Sequence, residues 1–393
     1  MPIQDIRTQH AHWSGIGRHA VMAETNQEET ARLNHMMALY RHLRENVYAG
    51  NKLAYDKRVE PDFVKRHGRK PKNRHEIREA MLADPYYRLW AHLRRDTQET
   101  VWMARQPVVD RKRAALAKKA HVAKPKYGSL HLDPDLKAPR YQSAFDMHWM
   151  PGGYHVDEGA GDVAQAAIYD LGSLYVSTGG KMGPWNDGPA QSVIRWLKDK
   201  YPAFKPKKLL DEGCTVGRST VAYCGAWPGV EVHGLDFSAP VVRYAHARAE
   251  SLGRPVHYRQ ALAEDTKFPD ASFDLVLSSM FLHETSRKAV YAIAQEAQRI
   301  LKPGGLMLHV EQPQFHQLPT PWSQFENDWD THNNNEPFWG PMHDMDLEDV
   351  AMKAGFRKQD IFQKNAPFIM PQPDGRLEVA KGGYWFFFGA WKR

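Results

Sequence analysis

Apolar residues in the first third of the chain recur at helical spacing. Leu33, Met36, Met37, Leu39, Tyr40 and Leu43 fall on one face with charges between them, which predicts an amphipathic helix within residues 24–48. Pro61, Pro71 and Pro85 punctuate the chain that follows, and the stretch holding Tyr87, Leu89, Trp90, Leu93, Val101 and Trp102 again reads as helix. Residues 1–123 are therefore expected to form an all-helical region. Between 124 and 189 the pattern gives way to Pro, Gly and aromatics ("HWMPGGYHVDEGAGD", "STGGKMGPWNDGP"), a connecting segment with one or two short helices, such as 163–175. From residue 190 the period switches. Short apolar runs at 208–210, 230–235, 256–260, 273–278 and 305–311 alternate with helical stretches, which predicts an α/β region built on a doubly wound, mostly parallel sheet with helices on both faces. "AGFRKQDIF" and "GGYWFFFGAWKR" read as the last two strands. Before them lies 312–346, a connection far longer than the usual few residues and loaded with Trp, Phe, His and Asp.

Length and composition narrow the class. At 393 residues the chain exceeds one small core and implies two domains, or one with a large accessory part. Its apolar runs fall short of the roughly 20 residues that span a bilayer. The opening residues show no basic start followed by an apolar stretch, so no export signal is expected. Cys214 and Cys224 are the only cysteines; they read as small buried side chains in a reducing cytoplasm. The net charge of +7 is uneven: residues 1–150 hold 28 Lys and Arg against 17 Asp and Glu, and the remainder 25 against 29. A basic accessory region raises nucleic acid as a partner. Its densest run, "VKRHGRKPKNRHE", has no aromatic residue for stacking bases and reads better as a solvated surface.

Four patterns stand in order between Lys207 and Pro313: "KKLLDEGCTVGRST", "EVHGLDFS", "FPDASFDLVLSSMFLHE" and "ILKPGGLMLHVEQP". The first is a strand ending in Asp211, then a turn with Gly213 and Gly217 opening a helix at Arg218; such a loop admits a ligand to backbone that a side chain would block. The second ends a strand in Asp236, at the spacing of a carboxylate that binds ribose hydroxyls. A dinucleotide loop would need glycine at Thr215. Together the four resemble the class I S-adenosylmethionine-dependent methyltransferases over about half the chain, from residue 190 onward. Thr215 departs from that pattern, where many members carry glycine, and Leu262 stands where an Asp often holds the adenine amino group.

The resemblance implies a seven-stranded Rossmann-like sheet whose last two strands form an antiparallel hairpin, with S-adenosylmethionine as cofactor. It places Asp211, Gly213, Cys214 and Gly217 around the methionine moiety, Asp236 at the ribose, Phe237 beside the adenine, Ala263 and Glu264 at its edge, and Ser279 near the methionine end. The connecting segment 124–189 would lie over this site, and 190–393 would be the methyltransferase domain with 312–346 as acceptor loop. Trp329, His332, Trp339 and His343 in that loop, with Tyr154, are the expected acceptor-binding residues. His283, after the fourth strand, is the candidate general base and His155 a weaker one. His283, Glu284, His309, Glu311 and His316 match no helix-borne metal pattern, so no metal is expected. The predicted acceptor is a small molecule with oxygen, nitrogen or sulfur as nucleophile. The helical region would cover the pocket or form a homodimer contact. An RNA or protein substrate docked by the basic region is the alternative, and a binding module or other sulfonium chemistry a third.

Overall fold

The structure, a computed structural model, describes residues 12–159 and 161–393. The reading of the first eleven residues as leaderless, and the start of the 1–123 region, lie outside the described residues.

The long helix Pro85–Asp110 begins where the sequence demands it. Asp84 accepts from the amides of Tyr86 and Tyr87, and Pro85 takes the first helical position, where its missing N–H is harmless. The preceding helix Gln27–His42 has a capping box between Asn26 and Glu29. It packs against Pro85–Asp110 through Leu33, Met36, Met37 and Tyr40. The expected helix over 163–175 is instead two short ones, Ala164–Asp170 and Ser173–Thr178, parted at Gly172, whose φ of 89° breaks the right-handed path.

The sheet strands are β1 (Ser129–His131), β2 (Lys208–Glu212), β3 (Glu231–Asp236), β4 (Val256–Gln260), β5 (Phe273–Ser279), β6 (Leu301–Glu311), β7 (Ile361–Pro371) and β8 (Leu377–Trp391). Their order is β1-β4-β3-β2-β5-β6-β8-β7, with β8 antiparallel to both neighbours and every other pairing parallel. The sheet thus has eight strands where seven were expected. The extra one, β1, comes from the connecting segment and pairs with β4, through a stretch too short to show alternation. Of the first hairpin signature, at 354–362, only Ile361 and Phe362 enter β7, the rest forming a turn and the short helix Lys358–Asp360, while β8 begins five residues before its own signature. Side chains at successive positions of β2, β5 and β6 enter opposite cores. Leu210, Val276 and Met307 meet the helix Arg287–Ile300, and Leu209, Leu275 and Leu308 meet the helix Gly188–Lys200.

Two further cores join the helical region to this sheet domain. One runs from Trp13 and Met37 through Val101 and Trp102 to Val241 and Tyr244 of the helix Ala239–Ser251. The other packs Tyr55, Tyr87 and Trp90 against Trp322, Phe325 and Trp329 of the long connection after β6. The helical region is consequently a wall of the sheet domain's ligand side. No helix among the described residues is long and apolar enough to cross a membrane.

Candidate functional site

A cavity of about 360 Å³ opens at the carboxyl ends of β2, β3 and β5. Strand order reverses around β2, so the connections on its two sides diverge and leave a crevice there. Asp211 ends β2, and burial pushes its carboxyl up to about 7 against the hydrogen bond it accepts from Thr220 Oγ1 (2.6 Å). The turn that follows needs its glycines. Gly213 and Gly217 have φ of 62° and 73°; a Cβ at the first would run into the Phe281 ring, and one at the second into the Tyr258 hydroxyl. Thr215 also stands in the left-handed region, at φ 45°. That is the physical reason for the glycine commonly expected at this position, since a β-branched residue is strained there. Its amide donates to Asp236 Oδ2 (3.1 Å), while Ser238 N donates to Oδ1 (3.0 Å). Burial nonetheless raises Asp236 to about 6.

Cys214, Phe237, Ala263, Glu264 and Ser279 line the same cavity, whereas Gly217 supports the turn from behind. Burial pushes the Cys214 thiol well above its usual range, so it is an un-ionised wall group. Leu262 faces the cavity where an Asp is often expected, and the neighbouring Glu264 accepts from Tyr141 (2.6 Å). Among the described residues, Ser279 Oγ and Glu264 Oε2 are buried with no hydrogen-bond partner. Orphaned polar atoms on a cavity wall, beside a glycine turn and two strand-end carboxylates, fit a nucleoside bearing a polar tail, which is what S-adenosylmethionine presents.

The opposite end of the cavity is assembled from three distant segments. The helix Pro85–Asp110 contributes a stripe at helical spacing, Arg94, Gln98, Val101, Trp102 and Arg105. The connecting segment contributes Tyr141, His148 and Tyr154, and the long connection contributes Asp330, Glu336 and Trp339. His148 and Trp149 both have left-handed φ, 57° and 58°. This strained pair is pinned by the helical region: Trp102 Nε1 (2.7 Å) and Gln98 Nε2 (3.3 Å) both donate to the His148 carbonyl.

These segments close a chain of acids and imidazoles. His148 Nε2 lies 3.1 Å from Glu336 and 3.4 Å from Glu284, and its Nδ1 lies 3.1 Å from the Tyr154 hydroxyl. His283 Nδ1 lies 2.6 Å from Glu311, and its Nε2 faces Glu336 at 3.8 Å. Burial works to lower both imidazoles, but the carboxylates around them prevail and raise each to about 9. His283, expected as the general base, is only 3% exposed and sits between Glu311 and Glu336. Burial raises its neighbour Glu284 to about 7 against the pull of His148 and His283.

Of the other residues expected at the acceptor, Tyr154 and Trp339 line the cavity and four do not. Trp329 packs on Trp90 at 5.6 Å in the interface with the helical region. His332 turns to Asp328 (3.6 Å). His343 is wholly buried behind Trp339, with ring centroids 4.6 Å apart, and burial lowers it to about 4. His155 lies off the cavity wall with its Nδ1 buried. Within the long connection, Gln312, Asp330, Asn334, Glu336 and Trp339 reach the cavity, whereas Trp322, Phe325 and Trp329 pack on the helical region. Sequence reasoning missed His148, Glu284, Glu336 and the helix stripe; the stripe's spacing was visible, but nothing local told which face met a ligand. Among the described residues no group of three or more His, Cys, Asp or Glu is arranged to hold a metal.

A family profile described as "Methyltransferase domain" matches residues 209–305. An uncharacterised methyltransferase of Synechocystis sp. is 37% identical over 105 residues, covering 27% of this chain and 47% of the relative. A demethylmenaquinone methyltransferase of Thermus thermophilus is 33% identical over 125 residues, covering 30% and 55%. The chain thus spans about half the length of these relatives. Among solved structures, phosphoethanolamine N-methyltransferase 2 of Haemonchus contortus with S-adenosyl-L-methionine is 20% identical, with a TM-score of 0.37 over 51% of this chain and 52% of that one.

Proposed function

Residues 209–305 are a class I S-adenosylmethionine-dependent methyltransferase domain, and on that premise we propose that the chain methylates a small molecule enclosed in the cavity. One observation carries the reading: the wall opposite the glycine turn is supplied by Pro85–Asp110, so the helical region roofs the acceptor end rather than standing apart as a platform. A roofed site of this volume suits a small acceptor. The Thermus relative is by its name an enzyme of demethylmenaquinone, which supports a small-molecule acceptor. The rival, a basic region that docks RNA, loses support from the densest run of cations. Arg66 pairs with Asp62, Arg69 with Glu76, Lys70 with Glu60, and Arg74 with Asp328 and Asp344.

When bound, S-adenosylmethionine supplies a sulfonium-activated methyl group and leaves as S-adenosylhomocysteine. The protein's share is alignment and proton handling. Asp236 and the Gly213–Gly217 turn hold the nucleoside side, and Trp102, Tyr154 and Trp339 wall the acceptor. Glu284, titrating near neutrality at the cavity wall, takes the proton that the nucleophile sheds. His148, cationic beside it, stabilises negative charge that develops on the acceptor.

The test is S-adenosylhomocysteine formation by the purified chain, offered separately a cell-extract fraction below about a kilodalton and total RNA. Turnover with the small-molecule fraction is expected. Turnover with RNA alone, falling steeply as salt rises, would overturn the reading.

A further inference from the structure

Arg105 is an isolated buried cation facing the cavity. Its side chain is 0% exposed, and among the described residues only Nη2 of its three guanidinium nitrogens has a hydrogen-bond partner, the Gly172 carbonyl at 3.1 Å. Nε and Nη1 are buried without one. The guanidinium lies over the Trp102 ring at 4.7 Å, and the groups that act on it are the phenols of Tyr40 and Tyr169 and a second cation, Arg218. Burial lowers its pKa only to about 9, so it keeps its charge at neutral pH.

The nearby acid, Asp170, is already saturated. It accepts from Arg218 Nε (2.9 Å) and Tyr244 (2.8 Å) and meets His19 Nε2 at 2.6 Å. Arg218, the first residue of the helix after the glycine turn, also lines the cavity and keeps Nη1 buried and unpartnered. Two guanidinia from different regions therefore line the cavity, each with N–H groups that have no partner among the described residues. An unpaired buried charge is costly, and planar guanidinium donors match a carboxylate in geometry and sign. Arg94, on the same helix face about 16 Å away, is a separate case, because Asp330 lies beside it.

We propose that Arg105, with Arg218, forms a carboxylate-binding site through which the N-terminal helical region takes part directly in ligand binding. The proposal rests on the methyltransferase reading for the ligand's identity. A carboxylate reaches this end of the cavity from one of two sources: the amino-acid end of the cofactor, which the glycine turn places near Arg218, or an acidic acceptor.

The experiment uses the full chain and two probes, S-adenosylhomocysteine and 5′-methylthioadenosine, which lacks the amino-acid end. Dissociation constants are measured by calorimetry for wild type, Arg105→Gln and Arg105→Lys, with melting temperatures recorded without ligand. If the carboxylate is the cofactor's, Arg105→Gln weakens S-adenosylhomocysteine about 10- to 100-fold and leaves 5′-methylthioadenosine unchanged, with Arg105→Lys intermediate because it keeps charge but not the fork. If it is the acceptor's, neither nucleoside changes, and turnover of the anion-exchange-retained part of the small-molecule fraction is lost. In both cases the ligand-free melting temperature of Arg105→Gln is unchanged or raised, since an uncompensated buried charge has been removed. Equal weakening of both nucleosides, a lowered melting temperature in both variants, or no change in binding and turnover would overturn the proposal. Wild type binding neither nucleoside would instead remove the methyltransferase reading, a result separable from a variant that binds as wild type does.

Discussion

The two ends of the cavity are built on different principles. The nucleoside end is local: Asp211, the Gly213–Gly217 turn and Asp236 come from one strand-turn-helix-strand unit, and backbone amides hold Asp236 in place. The acceptor end is a convergence of residues near positions 100, 148, 284 and 336, held by buried charge and by a helical region that shares its core with the sheet domain. The two ends come from different parts of the chain, so a substitution in one should leave the other's function standing.

The largest separation is expected at Glu284. Glu284→Gln removes the proton acceptor but keeps the side chain's shape, so kcat should fall roughly 100- to 10,000-fold while the dissociation constant for S-adenosylhomocysteine stays within a factor of two or so. In wild type, kcat/KM should rise with pH through about 7 as Glu284 ionises, and fall above about 9 as His148 loses its proton. The rising limb should vanish in the variant. Stability runs the other way. His148 and His283 are raised above the usual histidine value, so their contribution is complete below about pH 6.5 and is lost as pH climbs through about 9. A melting temperature that increased steadily from pH 7 to 9.5 would refute the protonated pair.

The reverse separation is expected at Asp236. On the proposed assignment, loss of its carboxylate removes the acceptors for two ribose hydroxyls and frees the Thr215 amide, so Asp236→Ala should weaken S-adenosylhomocysteine by about 2 to 4 kcal/mol. The pH dependence contributed by Glu284 should persist at saturating cofactor. Calorimetry that finds affinity unchanged would unseat the nucleoside assignment and leave the acceptor end unaffected.

The same contrast explains what could be read from the sequence. Parallel strands buried on both faces show as apolar runs, and the glycine turn and strand-end acids sit at fixed spacings, so the sheet domain, its turn and its strand-end acids were legible. β1 was not, because a three-residue edge strand carries too little pattern. The acceptor end was half legible. Trp339 and Tyr154 could be named for their chemistry, but Trp329 and His343 have the same chemistry and serve packing. His283 reads as a base from its place after the fourth strand, and nothing local announces that Glu311 and Glu336 flank it. Glu336 and His148 are 188 positions apart, and no spacing rule relates them.

The smallest effect tests whether the nucleoside end tolerates its irregularity at Thr215. Thr215 sits at φ 45°, where a β-branched side chain costs about 1 to 2 kcal/mol relative to relaxed backbone. Thr215→Gly removes that strain, but glycine's larger unfolded-state freedom offsets roughly 0.5 to 1 kcal/mol. The expected net is a stabilisation of about 0 to 1.5 kcal/mol with S-adenosylhomocysteine affinity unchanged, measured by denaturant unfolding beside calorimetry. A loss of affinity would mean that the threonine side chain touches the ligand. That would make the departure at 215 a feature of recognition and bring the two ends closer in kind.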